Sequence, residues 1–214
     1  MDDARALVAD QALWPRVRDF LWNFAPQIHP SWIEGISGAS GASNVLGNPR
    51  VKSFILSALD VAPCFHTFPK DDWSRLLLLD GAMLETIAKW LGALACADSL
   101  RRMTEGAKVR SLKAALPGVY PELFGYTMYF KGIDFQRGGA EAQSWEVQDV
   151  ISAGVSILVS LLDTLPLSLV SRLKLKLPKD LCASASLRLK KETCARVLAK
   201  LLKLKFPEAY KLCC

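Results

Sequence analysis

Between Leu76 and Ala97 apolar and small residues recur at a helical period and almost encircle the axis, which limits the chain to folds built around a deeply buried helix. Leu84, Ile87, Leu91 and Leu94 follow one another at intervals of three, four and three residues, with Met83 and Trp90 one heptad apart beside them. On the adjoining faces Gly92, Ala93, Ala95 and Ala97 are small enough to let a second backbone come close. The spacing predicts the central helix of a compact domain, capped at its start by Asp71 or Asp72.

At 214 residues the chain can bury about 70% of its unfolded surface, enough for a self-sufficient core. The reading is mainly α: a single compact multi-helix domain over residues 1–214, with two smaller domains as the alternative. It is divided here into an N-terminal part, 1–70, a central helical core, 71–170, and a basic C-terminal part, 171–214. Half of the residues are hydrophobic, so a membrane span has to be considered. The best candidate is Val147 to Val170, whose uninterrupted apolar part, Val150 to Leu162, runs for 13 residues before Asp163 and Pro166. Crossing a bilayer takes about 20, so a buried helix is expected. The opening Met-Asp-Asp-Ala-Arg has acids where a secretory signal carries basic residues, which predicts a protein that stays in the cytosol.

Punctuation along the chain gives the other elements. An amphipathic segment from Arg5 to Phe24 contains Pro15, which fits a first helical turn. Ser31 and Glu34 stand in capping-box spacing, with Trp32 and Ile33 pressed inward. A loop from Gly35 to Gly47 precedes Asn48-Pro49, a cap followed by a proline that opens a helix ending near Asp60. Pro63 to Pro69 is a connection anchored by its aromatics. After the break at Gly106, helices are expected over Lys108–Leu116 and Pro121–Lys131, the second burying Leu123, Phe124, Met128 and Phe130. Glycines at 132, 138 and 139 mark a loop, Ser144 caps a helix from Trp145 to Leu165, and a last helix runs from Ala185 to Lys205. On that helix Cys194, Val197, Leu198, Leu201 and Leu204 share one face, and Arg196, Lys200 and Lys203 the other. The segment Arg172-Leu-Lys-Leu-Lys-Leu-Pro178 alternates strictly, a strand signature, and is read as an extended connector or one short edge strand over 172–177.

No catalytic pattern emerges. Cys64 and His66 are the one close pair of potential metal ligands, the 35–48 loop lacks the Gly-Lys-Ser/Thr ending of a phosphate-binding loop, and neither histidine sits in a hydrolase setting. The expectation is a non-enzyme with no cofactor or metal. The six cysteines are scattered and read as reduced thiols, Cys96 and Cys194 on apolar helix faces and Cys213 and Cys214 exposed at the end. Charge is uneven: from Ser171 onward twelve Lys and Arg face three acids, a net +9, which leaves −3 on the rest. Arg172, Lys174, Lys176, Arg188, Lys190 and Lys191 are therefore candidates for contact with an acidic partner, and the same region is open to reading as a membrane-surface or nucleic-acid binder.

Three stretches, taken in order, resemble the YscK/SctK family of type III secretion accessory proteins. They are Ile28-His-Pro-Ser-Trp-Ile33; the run from Leu76 to Tyr129 with Ile87-Ala-Lys-Trp-Leu-Gly92, Leu100-Arg-Arg and Gly106-Ala-Lys-Val-Arg; and Leu173-Lys-Leu-Lys-Leu-Pro178, followed by a leucine-rich basic helix and Phe206-Pro-Glu-Ala-Tyr210. The resemblance implies a helical, non-catalytic adaptor of the injectisome sorting platform, in the bacterial cytoplasm at the inner-membrane base. Its implied partners are the cytoplasmic domain of the ring protein SctD and the pod protein SctQ, which carries SctL and the ATPase SctN. His29 and Trp32 are then candidates for a second contact, with core packing as the alternative reading of Trp32.

Overall fold

Several helix starts in this chain are set by proline or by short polar caps. The computed structural model describes residues 13–34, 36, 48–61, 68–69, 73–130, 146–183 and 190–213, and among them every regular element is helical. In order these are α1 (Trp14–Trp22), α2 (Pro30–Ile33), α3 (Pro49–Ala58), α4 (Gly81–Arg102), α5 (Gly106–Ala115), α6 (Tyr120–Thr127), α7 (Val147–Leu161), α8 (Leu167–Leu175), α9 (Lys179–Ala183), α10 (Lys191–Lys205) and α11 (Pro207–Cys213). Short 3-10 turns cover Ala25–Gln27, Ser74–Leu78 and Met128–Phe130. The mainly α class is as expected.

Pro15 lies in the first turn of α1, and the Asn48 side chain accepts the Arg50 N–H at 2.9 Å to open α3, both as the residue types dictate. Two expected caps differ. The central helix starts later than its leucine run: Leu76–Leu78 belong to the 3-10 turn, and the Asp80 carboxylate caps α4 by accepting the Met83 N–H at 2.7 Å. Asp71 and Asp72 lie outside the described residues. At α2 the cap is His29, whose Nδ1 accepts the Ser31 N–H at 3.2 Å, while Glu34 sits at the opposite end of that short helix.

By packing, the chain falls into two compact units that interleave in sequence: Met1–Leu84 with Leu162–Lys179 and Leu212–Cys214, and Glu85–Leu161 with Asp180–Lys211. In the first unit Val17, Phe20 and Leu21 of α1 pack against the Ser74–Leu78 turn, and α8 lies against the same turn. Phe20 meets Phe24 and Phe68 edge to face, with ring centres 5.7 and 6.2 Å apart. Phe68 is thus packed inward; Cys64, Phe65 and His66 lie outside the described residues, as does the expected loop from Gly35 to Gly47 except Ile36.

The segment read as an edge strand, 172–177, is the last turn of α8 and its exit. Alternation signals a strand only when one of the alternating residue types faces water. Here Arg172 and Lys176 are 3% and 2% exposed, and Leu173, Leu175 and Leu177 are buried with them. Both residue types pack inward, and the two buried cations stand four residues apart, one helical turn.

In the second unit α4 lies against α7 at two glycines. A Cβ on Gly92 would run into the Val150 carbonyl oxygen, and one on Gly154 into that of Ala88. This is the close backbone approach that the small residues of the central helix predict. Ile87, Leu91 and Leu94 are buried beside it, and α7 buries its length from Val150 to Leu158. No helix among the described residues is long and apolar enough to cross a membrane. The Cys194, Val197, Leu198 and Leu201 face of α10 is buried, with α7 as its main neighbour. Gly118, at φ +71°, ends the α5 segment in the left-handed conformation that glycine tolerates.

Three expected burials differ. Met128 is 61% exposed because the chain tightens into a 3-10 turn there and rotates it outward, and Leu204 is 40% exposed at the edge of the α10 stripe. Cys213 is buried because it ends α11, a helix opened by Pro207. Ser144, the glycines at 132, 138 and 139, and Cys214 lie outside the described residues.

Candidate functional site

Two of the three sequence stretches singled out above meet in the first unit. Where α8 ends, its last carbonyls have no partner within the helix and Pro178 has no N–H to give. The Leu173 and Lys174 carbonyls are closed locally by Lys176 and Leu177. The Leu175 carbonyl accepts the His29 N–H at 2.8 Å, and the Leu177 carbonyl accepts the Trp32 indole N–H at 2.8 Å. In return the Lys179 N–H, at the start of α9, donates to Ser31 Oγ at 3.0 Å. Ser31 Oγ lies 2.8 Å from His29 Nδ1, which also accepts the Ser31 N–H, so this chain of bonds requires Nδ1 to be the unprotonated ring nitrogen. The Lys179 ammonium stands 5.8 Å from the centre of the Trp32 ring. The His-Pro-Ser-Trp element is thus a clasp on the end of α8, and Trp32 is half-buried within it.

Two cations one turn apart at this end of α8 close two further helix ends. Arg172 Nη1 donates to the Phe20 and Leu21 carbonyls at 2.6 and 3.0 Å, at the end of α1, with the guanidinium 5.1 Å from the Phe24 ring centre. Lys176 Nζ donates to the Leu77 and Leu79 carbonyls at 2.6 and 2.9 Å, at the end of the 3-10 turn. A cation suits the negative end of a helix, and hydrogen bonds from charged donors to such carbonyls are worth about 1.5–3 kcal/mol each. Burial pulls the Lys176 pKa from 10.5 down to about 7, with nearby Asp80 pulling it back up.

The candidate contact cations are therefore not all at the surface. Arg172 and Lys176 are interior, Lys174 is half-buried, Lys190 is exposed and Lys191 half-buried in the second unit, and Arg188 lies outside the described residues. His29 and Trp32 do come together, through α8. The alternating leucines and cations were the available signal for the clasp, but only a partner for the orphan carbonyls could have turned it into a contact.

Chemistry is sparse elsewhere. Among the described residues no group of three His, Cys, Asp or Glu is placed to hold a metal ion. An open hollow lined by Lys108, Ser111, Leu112 and Glu146 sits in the second unit, but Lys108 is paired with Glu105 at 2.9 Å. Lys205 pairs with Glu122 and stands 5.2 and 5.3 Å from the Trp90 and Tyr126 ring centres, a cluster the sequence reading did not find.

No curated protein and no solved structure matches the chain. A family model does match, over residues 25–214, and its description is YOP proteins translocation protein K (YscK). The match takes in the clasp, the central helix and the α8–α11 region. The chain belongs to the YscK family, and so is an accessory component of type III secretion rather than a member of an enzyme family.

Proposed function

We propose that the protein is a non-catalytic adaptor of the type III secretion sorting platform, linking the cytoplasmic domain of the SctD-type ring protein to the SctQ-type pod protein. Through the pod it would couple to SctL and the SctN ATPase, and it would work in the bacterial cytoplasm at the inner-membrane base. Family membership over residues 25–214 carries this reading. The use of charged and aromatic side chains at the clasp supports it, because Arg172, Lys176 and Trp32 bond the fold's own carbonyls rather than converging on a vacant site.

Co-expression with the ring-protein cytoplasmic domain and, separately, with the pod protein, followed by size-exclusion chromatography with light scattering, tests the reading. A stable complex of defined mass with each partner is the expected result. A chain that elutes alone in both experiments refutes the adaptor role.

A further inference from the structure

We infer that the second unit carries a docking surface for an acidic protein segment with an apolar anchor, formed by the Met128–Phe130 turn and the outer face of α10. The inference rests on the adaptor reading and names the chemistry of one partner contact.

Three large apolar or aromatic side chains stand in water here: Met128 at 61%, Tyr129 at 49% and Leu204 at 40% exposure. The turn that presents Met128 and Tyr129 is held from inside by Phe130, which is buried. Three cations, one of them paired with Glu122, stand near its aromatic side chains and Thr127. Arg101 donates to Thr127 Oγ1 at 3.2 Å and lies 5.5 Å from the Phe124 ring centre. The Lys200 ammonium is 5.7 Å from the Phe130 ring centre, and Lys205 is 5.3 Å from that of Tyr126, whose own ring lies tilted 6.1 Å from that of Tyr129.

On α10 the exposed residues Arg196, Lys200 and Lys203 recur at intervals of four and three, so they share one face, with Leu204 one turn beyond Lys200. Glu192, one turn before Arg196, is the one acid on that side of α10, and Glu122 is already taken by Lys205. The face keeps a positive excess around an apolar centre. Aromatic, methionine and arginine side chains are enriched at protein interfaces, whose apolar middle lies within a polar rim. Carboxylates on the partner would complement the rim, and one large apolar side chain would cover Met128 and Tyr129. A polyanion such as DNA would engage the cations and leave that centre uncovered.

The test uses the intact chain with two probes, the ring-protein cytoplasmic domain and the pod protein, titrated at low and at physiological salt. The variants are Arg196→Glu/Lys200→Glu/Lys203→Glu and Met128→Ala/Tyr129→Ala, with Arg16→Glu/Arg18→Glu on the exposed face of α1 as control. All these positions are exposed, and circular dichroism checks that each variant is folded. The expected result is binding weakened by about tenfold or more by both variants for one probe, with the salt dependence reduced in the charge variant and the control binding as wild type. Wild-type binding that both variants, or the apolar variant alone, leave intact overturns the surface while the adaptor role stands. So does competition by double-stranded DNA that follows the charge variant alone. Wild type that binds neither probe removes the adaptor reading, and the surface with it.

Discussion

Lys176 shows how a residue type can mislead when its surroundings are unknown. A lysine in a leucine-lysine alternation reads as solvent-facing, yet here its ammonium is buried against the Leu77 and Leu79 carbonyls. In the unfolded chain Lys176 keeps its proton up to its ordinary pKa of 10.5; in the fold it does so only up to about 7. Between those values the unfolded state binds the extra proton, so stability rises as pH climbs from about 7 toward 10.5, and the burial cost is fully present below 7. Urea unfolding at about pH 6 and about pH 9 checks this: wild type is expected to gain stability at the higher pH and Lys176→Met to lose that gain. Equal pH dependence in the two proteins refutes it. Core packing was one reading of Trp32, which is half-buried, but its indole bond to Leu177, 145 residues away, was not legible. Trp32→Phe keeps a smaller aromatic ring and loses that donor, for an expected cost of about 1–2 kcal/mol, whereas Trp32→Ala also empties the clasp and costs about 3 kcal/mol. Chemical denaturation of both variants separates the two contributions.

At the level of elements, legibility followed the number of local signals. Asn48-Pro49 combines a side-chain acceptor with a proline that needs no donor, and the helix begins there. The central helix declared itself by its stripe, and its small residues implied a close neighbour, but nothing in the sequence singled out Gly154 of α7 as that neighbour. The start of α4 was misplaced because four consecutive leucines satisfy a helical and a 3-10 path equally, and only the Asp80 cap decides between them. Helix α11 was missed because its seven residues are too few for a periodic stripe. The glycine contact gives a sharp prediction: in Gly154→Ala the methyl meets the Ala88 carbonyl oxygen, part of a helix backbone that cannot swing aside. A loss of about 3 kcal/mol or more is expected by urea unfolding. Ala153→Gly, at a buried neighbour on the same helix, is expected to cost only about 1 kcal/mol.

For the whole molecule, the net charge of +6 overstates what a partner meets. Arg172 and Lys176 face inward, so two of the positive charges it counts are withheld from a partner. Weak DNA binding is therefore expected at physiological salt, measurable by fluorescence anisotropy with a labelled duplex; tight binding would favour the nucleic-acid alternative. The interleaving of the two units has a consequence for how the protein is made. A ribosome releases α1 and the His-Pro-Ser-Trp element early, yet the groups that close them, Arg172, Leu175 and Leu177, emerge only after the whole 85–161 segment. The nascent first unit must wait with open carbonyls and an unclasped indole while the second is translated. A single cut between residues 85 and 161 would yield two fragments, neither of which holds either unit complete, so the protein has to be expressed and engineered as an intact chain.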